Sequence, residues 1–356
     1  ARRLLRALCF LIRTKMFMNY LNKSLKTYLF IFIIVVMSLS GINLVTANEN
    51  ILYPVYISQK GGYINKTGEI KIPARFDYVG NFSEGVASVK KDGKNFIIDT
   101  TGKIVSSPDI EDYILGIHEF KSGIALVSLL QEKLFINKKG QKLFGQVYDD
   151  ARDFSNGLAA VKIDGKWGFI DEHGKLKIAN KFDYVESFLT QFAPVSVNKK
   201  WDIINTTGQI LTKHSFLFVY GGTELPFQST VNGHPAYIDQ YGDEIIGISC
   251  ERFGCFSEGF ADIYRDGKAG FIDLKGNIVI PCQFENTRPF SEGMAGIQIG
   301  GKWGFINKEG EIKIQPRFDD VGPFQKGLAR VWIYGEDHNA YGYINQDGVI
   351  VWEPSR

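Results

Sequence analysis

Carboxylates in a repeated setting are the first residues of this chain that could do chemistry. Glu84, Glu258 and Glu292 occupy the third place of the tetrads Phe82-Ser83-Glu84-Gly85, Phe256-Ser257-Glu258-Gly259 and Phe290-Ser291-Glu292-Gly293. Two carboxyl groups held close together are what glycoside cleavage requires. These glutamates recur because their turn recurs, however, and a repeated turn gives each the same role. They read as solvated turn residues. The histidines His118, His173, His214, His234 and His338 show no metal spacing and no HExxH context, and no nucleophile elbow or phosphate loop is present. The sequence therefore offers no catalytic, cofactor or metal residues.

Cysteine is scarce. Cys9 falls in an atypical N-terminal segment, leaving Cys250, Cys255 and Cys282, an odd number that allows at most one bridge. Cys250 stands where related positions carry Phe76, Phe182, Phe284 and Phe318. If successive units stack, Cys282 falls near Cys250 and a disulfide between units can form. Cys250–Cys255 is the competing pair, and a buried thiol filling a Phe-sized site is the third reading.

The elements that must position these residues are set by a repeat. Nine times an isoleucine is followed by Asn or Asp and, three residues later, by Gly, from Ile64-Asn65…Gly68 through Ile170-Asp171…Gly174 and Ile306-Asn307…Gly310 to Ile344-Asn345…Gly348. Successive isoleucines are 34 or 38 residues apart, a period that marks an array of supersecondary units burying their apolar faces against one another. The unit from Leu158 to Ile178 predicts three short antiparallel strands. Asp164-Gly165 supplies a tight hairpin in which both residues take positive φ, and Asp171…Gly174 supplies an Asx turn. Alternation sends Phe169 and Ile170, like Phe305 and Ile306, to opposite faces. Both faces are apolar, so each small sheet must lie between neighbours, with the tetrad Phe plugging the space between units.

Lys166-Trp167-Gly168-Phe169-Ile170-Asp171 and Lys302-Trp303-Gly304-Phe305-Ile306-Asn307, with the Phe-Ser-Glu-Gly element, resemble the WG (KWG) repeats of bacterial proteins. The resemblance covers residues 51–352. It departs from the pattern in that the signature Trp stands in three units, at Trp167, Trp201 and Trp303. It implies a multi-copy β-repeat protein, often exported, with no generally assigned activity. Trp-Gly could offer an aromatic platform to a carbohydrate, but three copies flanked by glycine read as structural. A β-propeller usually has four to eight blades with periods above forty residues. Here the unit is shorter, and no strand is left over to clasp the ends. The expectation is an all-β open, stacked array, with a closed propeller as the alternative.

Residues 1–17 read as an upstream or non-native extension. Residues 18–47 read as a signal peptide: Lys23 and Lys26, an apolar run from Tyr28 to Met37, and small residues Val45-Thr46-Ala47 with cleavage expected after Ala47. Residues 48–356 then form the mature repeat domain. Residues 1–47 hold seven basic side chains and no acid, so residues 48–356 carry 34 basic against 39 acidic side chains, a net of −5. That balance gives no footing for nucleic acid. It leaves membrane contact to the signal segment alone. The reading is an exported binding scaffold for a protein or glycan partner of the envelope, extracellular space or host, periplasmic, surface-bound or secreted. A glycan hydrolase and a purely structural spacer are the rivals. Irregularity in unit five, and longer loops at Val105–Ile117 and Gly335–Asn339, mark where a binding face could lie.

Overall fold

The computed structural model describes residues 51–108, 110, 113–221, 224–334 and 339–353. The chain divides into two units, Ala1–Asn50 and Ile51–Arg356. The first, with the expected extension, signal peptide and cleavage point, lies outside the described residues, as does most of the Gly335–Asn339 insertion.

Ile51–Arg356 contains nine antiparallel sheets, one for each Ile-Asx…Gly unit. The fourth shows how a unit is built: strands Asp150–Ala151, Leu158–Ile163, Lys166–Asp171 and Leu176–Phe182 follow one another in order across the sheet. Six sheets have four strands; the first, third and fifth have three among the described residues. The extra strand is the correction to the three-strand expectation. It is two residues long in most sheets, as at Tyr78–Val79, too short to carry any alternation.

Both turn types form as their residues require. Asp164 and Gly165 have φ of 50° and 74°. Asn65 Oδ1 accepts from the Thr67 and Glu69 amides at 3.0 and 2.9 Å, tying the Asx turn. The Gly of Trp-Gly answers a close approach. A Cβ on Gly168 would lie 2.5 Å from the Ile178 carbonyl oxygen, because the last strand crosses directly over it.

Each sheet is sandwiched. Phe169 and Ile170, on opposite faces of one strand, are 0% and 1% exposed. The aromatic before the isoleucine meets the tetrad Phe of the next sheet: Tyr63 with Phe82 at 4.7 Å between centroids, Phe169 with Phe188 at 4.8 Å, Phe305 with Phe324 at 4.8 Å. Such tilted pairs add about 0.5–1.5 kcal/mol each beyond their burial.

The same joint recurs between the last sheet and the first, which overturns the open array. Asx-turn glycines rest on the outer strand of the preceding sheet wherever that strand is formed beneath them: Gly102 on Ile72, Gly208 on Ile178, Gly276 on Ile246. Gly68 of the first sheet rests in that way on Val351 of the ninth. Tyr53, Val55 and Ile64 share a core cluster with Leu328 and Tyr343. Tyr343 and Tyr341 donate to the Pro54 carbonyl at 3.0 and 3.3 Å, and Tyr53 donates to the Lys326 carbonyl at 2.5 Å. The nine sheets are the blades of a closed β-propeller. Among the described residues no strand is shared across the closure, and side chains make it. The missing left-over strand is thus no obstacle to a ring.

Candidate functional site

Two belts of carboxylates join the blades, one at each end of the strands. At one end the tetrad places Glu84, Glu258 and Glu292 at φ of 50–54°, with Gly after them, in two-residue turns. Each carboxylate accepts a backbone amide of the next blade's turn: Gly123 donates to Glu84 at 2.9 Å, Gly293 to Glu258 at 3.0 Å, Gly327 to Glu292 at 2.7 Å. The tetrad serines act in parallel, Ser257 donating to the Phe290 carbonyl at 2.7 Å and Ser291 to that of Phe324 at 2.6 Å. These glutamates are therefore clamps between blades, not solvated turn residues. Partial burial opposes ionisation of Glu84 and Glu258, but Lys138 or Lys308 and the donated amides outweigh it and lower both pKa values.

Glu224 makes the same bond, accepting from Gly259 at 2.6 Å, although unit five has no recognisable tetrad before it. Sequence reasoning missed it because only the carboxylate's place in space is kept.

At the other end the acid follows the outer strand. Lys60, Lys166 and Lys302 bind Asp77, Asp183 and Asp319 at 2.5–2.6 Å, always 17 residues on. The same acids accept from the next blade's hairpin, Asn198 donating to Asp183 at 2.6 Å and Tyr334 to Asp319 at 2.8 Å. The lysine side chain first, and these amides with it, hold all three carboxyls below the usual range. The recurring 17-residue Lys–Asp spacing was the available signal.

The Trp-Gly tryptophans are not a platform. Trp167 and Trp303 are 5% and 6% exposed, and each is covered by an arginine, Arg152 at 5.8 Å and Arg288 at 4.9 Å from the ring centroid. Those arginines pair onward with Glu186 at 3.3 Å and Asp320 at 2.7 Å of the following blade. Trp201 is half-buried and meets Tyr184 edge-on at 5.4 Å.

Cys250, Cys255 and Cys282 are free thiols. Cys250 and Cys282 come together against the Tyr237, Ile246 and Phe256 cluster, whereas Cys255 donates to Gln228 Oε1 at 3.3 Å. Burial pushes the Cys255 thiol up to about 11 and raises the other two, which keeps thiolate scarce at neutral pH. Among the described residues no three His, Cys, Asp or Glu side chains group as metal ligands.

The closure builds a site of its own. Lys326 takes the tetrad's glutamate place in the ninth blade, and its Nζ donates to the Phe82 carbonyl of the second blade at 3.0 Å, passing over the first. A side chain can span that gap only where the blades converge, so the tetrad turns lie on the axial side. A cavity of about 560 Å³ opens there, drawing on blades one, two, three, eight and nine. Its wall carries Tyr53, Tyr343 and Trp332, the cations Arg330 and Lys326, and the acids Glu119 and Glu292. Of these the sequence singled out Glu292 alone, and as a turn residue, since the site exists only once the two ends of the array meet.

The chain is similar to several solved structures. The chain superposes on a eukaryotic initiation factor with a TM-score of 0.61 and 12% identity, over 84% of this chain and 94% of that one. BamB from Moraxella catarrhalis matches at a TM-score of 0.40 with 10% identity, over 84% and 94%; Hsv2 of Kluyveromyces lactis at 0.38 with 10% identity, over 74% and 94%. At 12% identity the likeness to the initiation factor is one of fold alone. No curated protein matches in sequence. The profile of the WG containing repeat matches six times, at residues 62–94, 96–129, 135–167, 167–201, 270–303 and 303–331. Those copies cover more than half of the 356 residues, and the chain belongs to the WG repeat family.

Proposed function

We propose that this propeller is an exported, non-catalytic binding protein whose partner, a protein or glycan of the envelope, extracellular space or host surface, seats at the axial cavity beside the closure. The observation that carries the reading is the cavity itself. Its wall combines aromatic surface with both signs of charge, the mixture expected of a ligand site, and about 560 Å³ lies in the usual size range. The glutamates that could have supported glycan hydrolysis are engaged in holding neighbouring turns, which favours binding over turnover. Export rests on the basic and apolar pattern of residues 18–47, and the net of −5 beyond them argues against a nucleic-acid partner.

The test is capture by immobilised protein from fractionated envelope, secreted and host-surface material. Saturable capture of one component, weakened at least tenfold by Trp332→Ala, supports the reading. Absence of saturable capture from every fraction favours a structural spacer. Fusion of residues 1–47 to a reporter active only after export tests the leader, and an inactive fusion contradicts it.

A further inference from the structure

We infer that the axial cavity is an anion site: it takes a small organic anion whose acid group sits on Arg330. This rests on the binding reading above and names the ligand's chemistry.

Register sets Arg330 apart. It lies opposite Tyr343 in the ninth blade. The same place holds Pro54, Ala160, Pro194 and Gly296 in blades one, four, five and eight, and no other blade puts a cation there. Blades two, three, six and seven put Ser88, Leu126, Gln228 and Asp262 there, and the next blade's inner strand passes close by. Ser88, for example, donates to the Ile117 carbonyl of the third blade at 3.1 Å.

Charge distinguishes it as well. Arg152 and Arg288 also stack on aromatic rings, but each has a carboxylate partner in the following blade. Arg330 stacks on Tyr341 and Tyr343 at 5.3 and 5.7 Å, and its Nε donates to the Tyr343 hydroxyl at 2.8 Å. No carboxylate among the described residues pairs with it. A half-buried guanidinium with no carboxylate on it among the described residues offers its planar Nη donors to an oxyanion, which they match in geometry. Lys326 stands on the same wall and adds a second positive charge, while the wall's acids are engaged, Glu292 by the Gly327 amide at 2.7 Å and Glu119 by the Asn81 side chain at 2.8 Å. Trp332, 6.5 Å from Tyr341, offers apolar surface to the body of the ligand.

The probe is 8-anilinonaphthalene-1-sulfonate, an aromatic anion whose emission rises on leaving water, against the uncharged N-phenyl-1-naphthylamine. The sulfonate should bind the full-length native protein saturably, one per chain, and weaken as salt is raised. The neutral dye should bind at least tenfold more weakly. Arg330→Gln should weaken the sulfonate at least tenfold, and Arg317→Gln, an exposed arginine of the eighth blade, should leave it unchanged. If circular dichroism shows that Arg330→Gln does not fold, Arg330→Lys decides, with threefold or greater weakening expected from loss of the planar fork. No saturable sulfonate binding, equal affinity for the neutral dye, or wild-type affinity in a folded Arg330 variant each overturns the anion site. Capture of a macromolecular partner that survives in those variants would leave the binding reading standing while the anion site fell.

Discussion

The joint between blades eight and nine and the joint between nine and one are built from the same positions with different residues. At the first, Phe305 meets Phe324, Ser291 donates to the Phe324 carbonyl, Glu292 accepts from Gly327, and Gly296 leaves room for the next inner strand. At the second, Tyr343 meets Tyr53 at 5.6 Å, Tyr53 donates to the Lys326 carbonyl, Lys326 reaches on to Phe82, and Arg330 fills Gly296's place. Where the first joint uses phenylalanine and backbone, the second uses tyrosine hydroxyls and long cations. The difference teaches that, among the described residues, this propeller closes through side chains. The cavity at the closure has Tyr53, Lys326 and Arg330 on its wall, residues of the joint itself.

The largest effect that would break this comparison comes from the tyrosines. Tyr53→Ala with Tyr343→Ala removes two buried rings and their bonds at the closure, costing roughly 4 kcal/mol or more. Chemical denaturation should show the loss, and scattering should show an expanded particle. Phe305→Ala at the ordinary joint should cost a similar amount, about 3–5 kcal/mol, without expansion, because the ring remains closed elsewhere.

Next comes Gly168→Ala, which drives a Cβ to 2.5 Å from the Ile178 carbonyl and should cost about 2–3 kcal/mol in denaturant midpoint analysis. Any alanine-tolerant result would mean the last strand does not cross there.

Smaller is Glu258→Gln, which loses the Lys308 ion pair and weakens the bond from Gly293. About 1 kcal/mol is expected. Glu258 and Glu84 have folded pKa values below their unfolded ones, so their stabilisation is present above about pH 4.5 and disappears as pH falls through the folded values. Glu258→Gln should therefore flatten the acid limb of a stability-against-pH curve.

Asp262 is the opposite case. Burial raises its carboxyl pKa, so ionisation near neutral pH opposes folding, and its cost grows as pH rises through the unfolded value toward the folded one. Asp262→Asn should stabilise the protein at pH 7 by on the order of 1 kcal/mol, with the gain vanishing at pH 3. A destabilised variant at pH 7 would mean the carboxylate makes a bond that the amide cannot replace.

Much of one blade was legible in the chain. Asp164-Gly165 and the Asx turns report backbone conformations that few residues adopt, and the Phe169–Ile170 alternation reports burial on both faces. Those are local signals. Closure was not legible, because Tyr343 looks like any other aromatic before a unit isoleucine, while Tyr53, Tyr341 and Lys326 look like drift until the ends meet. The glutamates misled for a related reason. A carboxylate in an exposed turn and one clamping the next turn have the same sequence, and only the neighbour's amide distinguishes them. Arg330, likewise, is an ordinary strand residue until its register across blades is compared.

The most direct measurement of the closed ring is small-angle scattering on residues 51–356. The ring predicts a radius of gyration near the compact-domain value of about 20 Å, rising only in the Tyr53→Ala, Tyr343→Ala double variant. A radius of about 28 Å or more for the unaltered protein, as nine sheets stacked in line at ~10 Å spacing would give, would contradict closure.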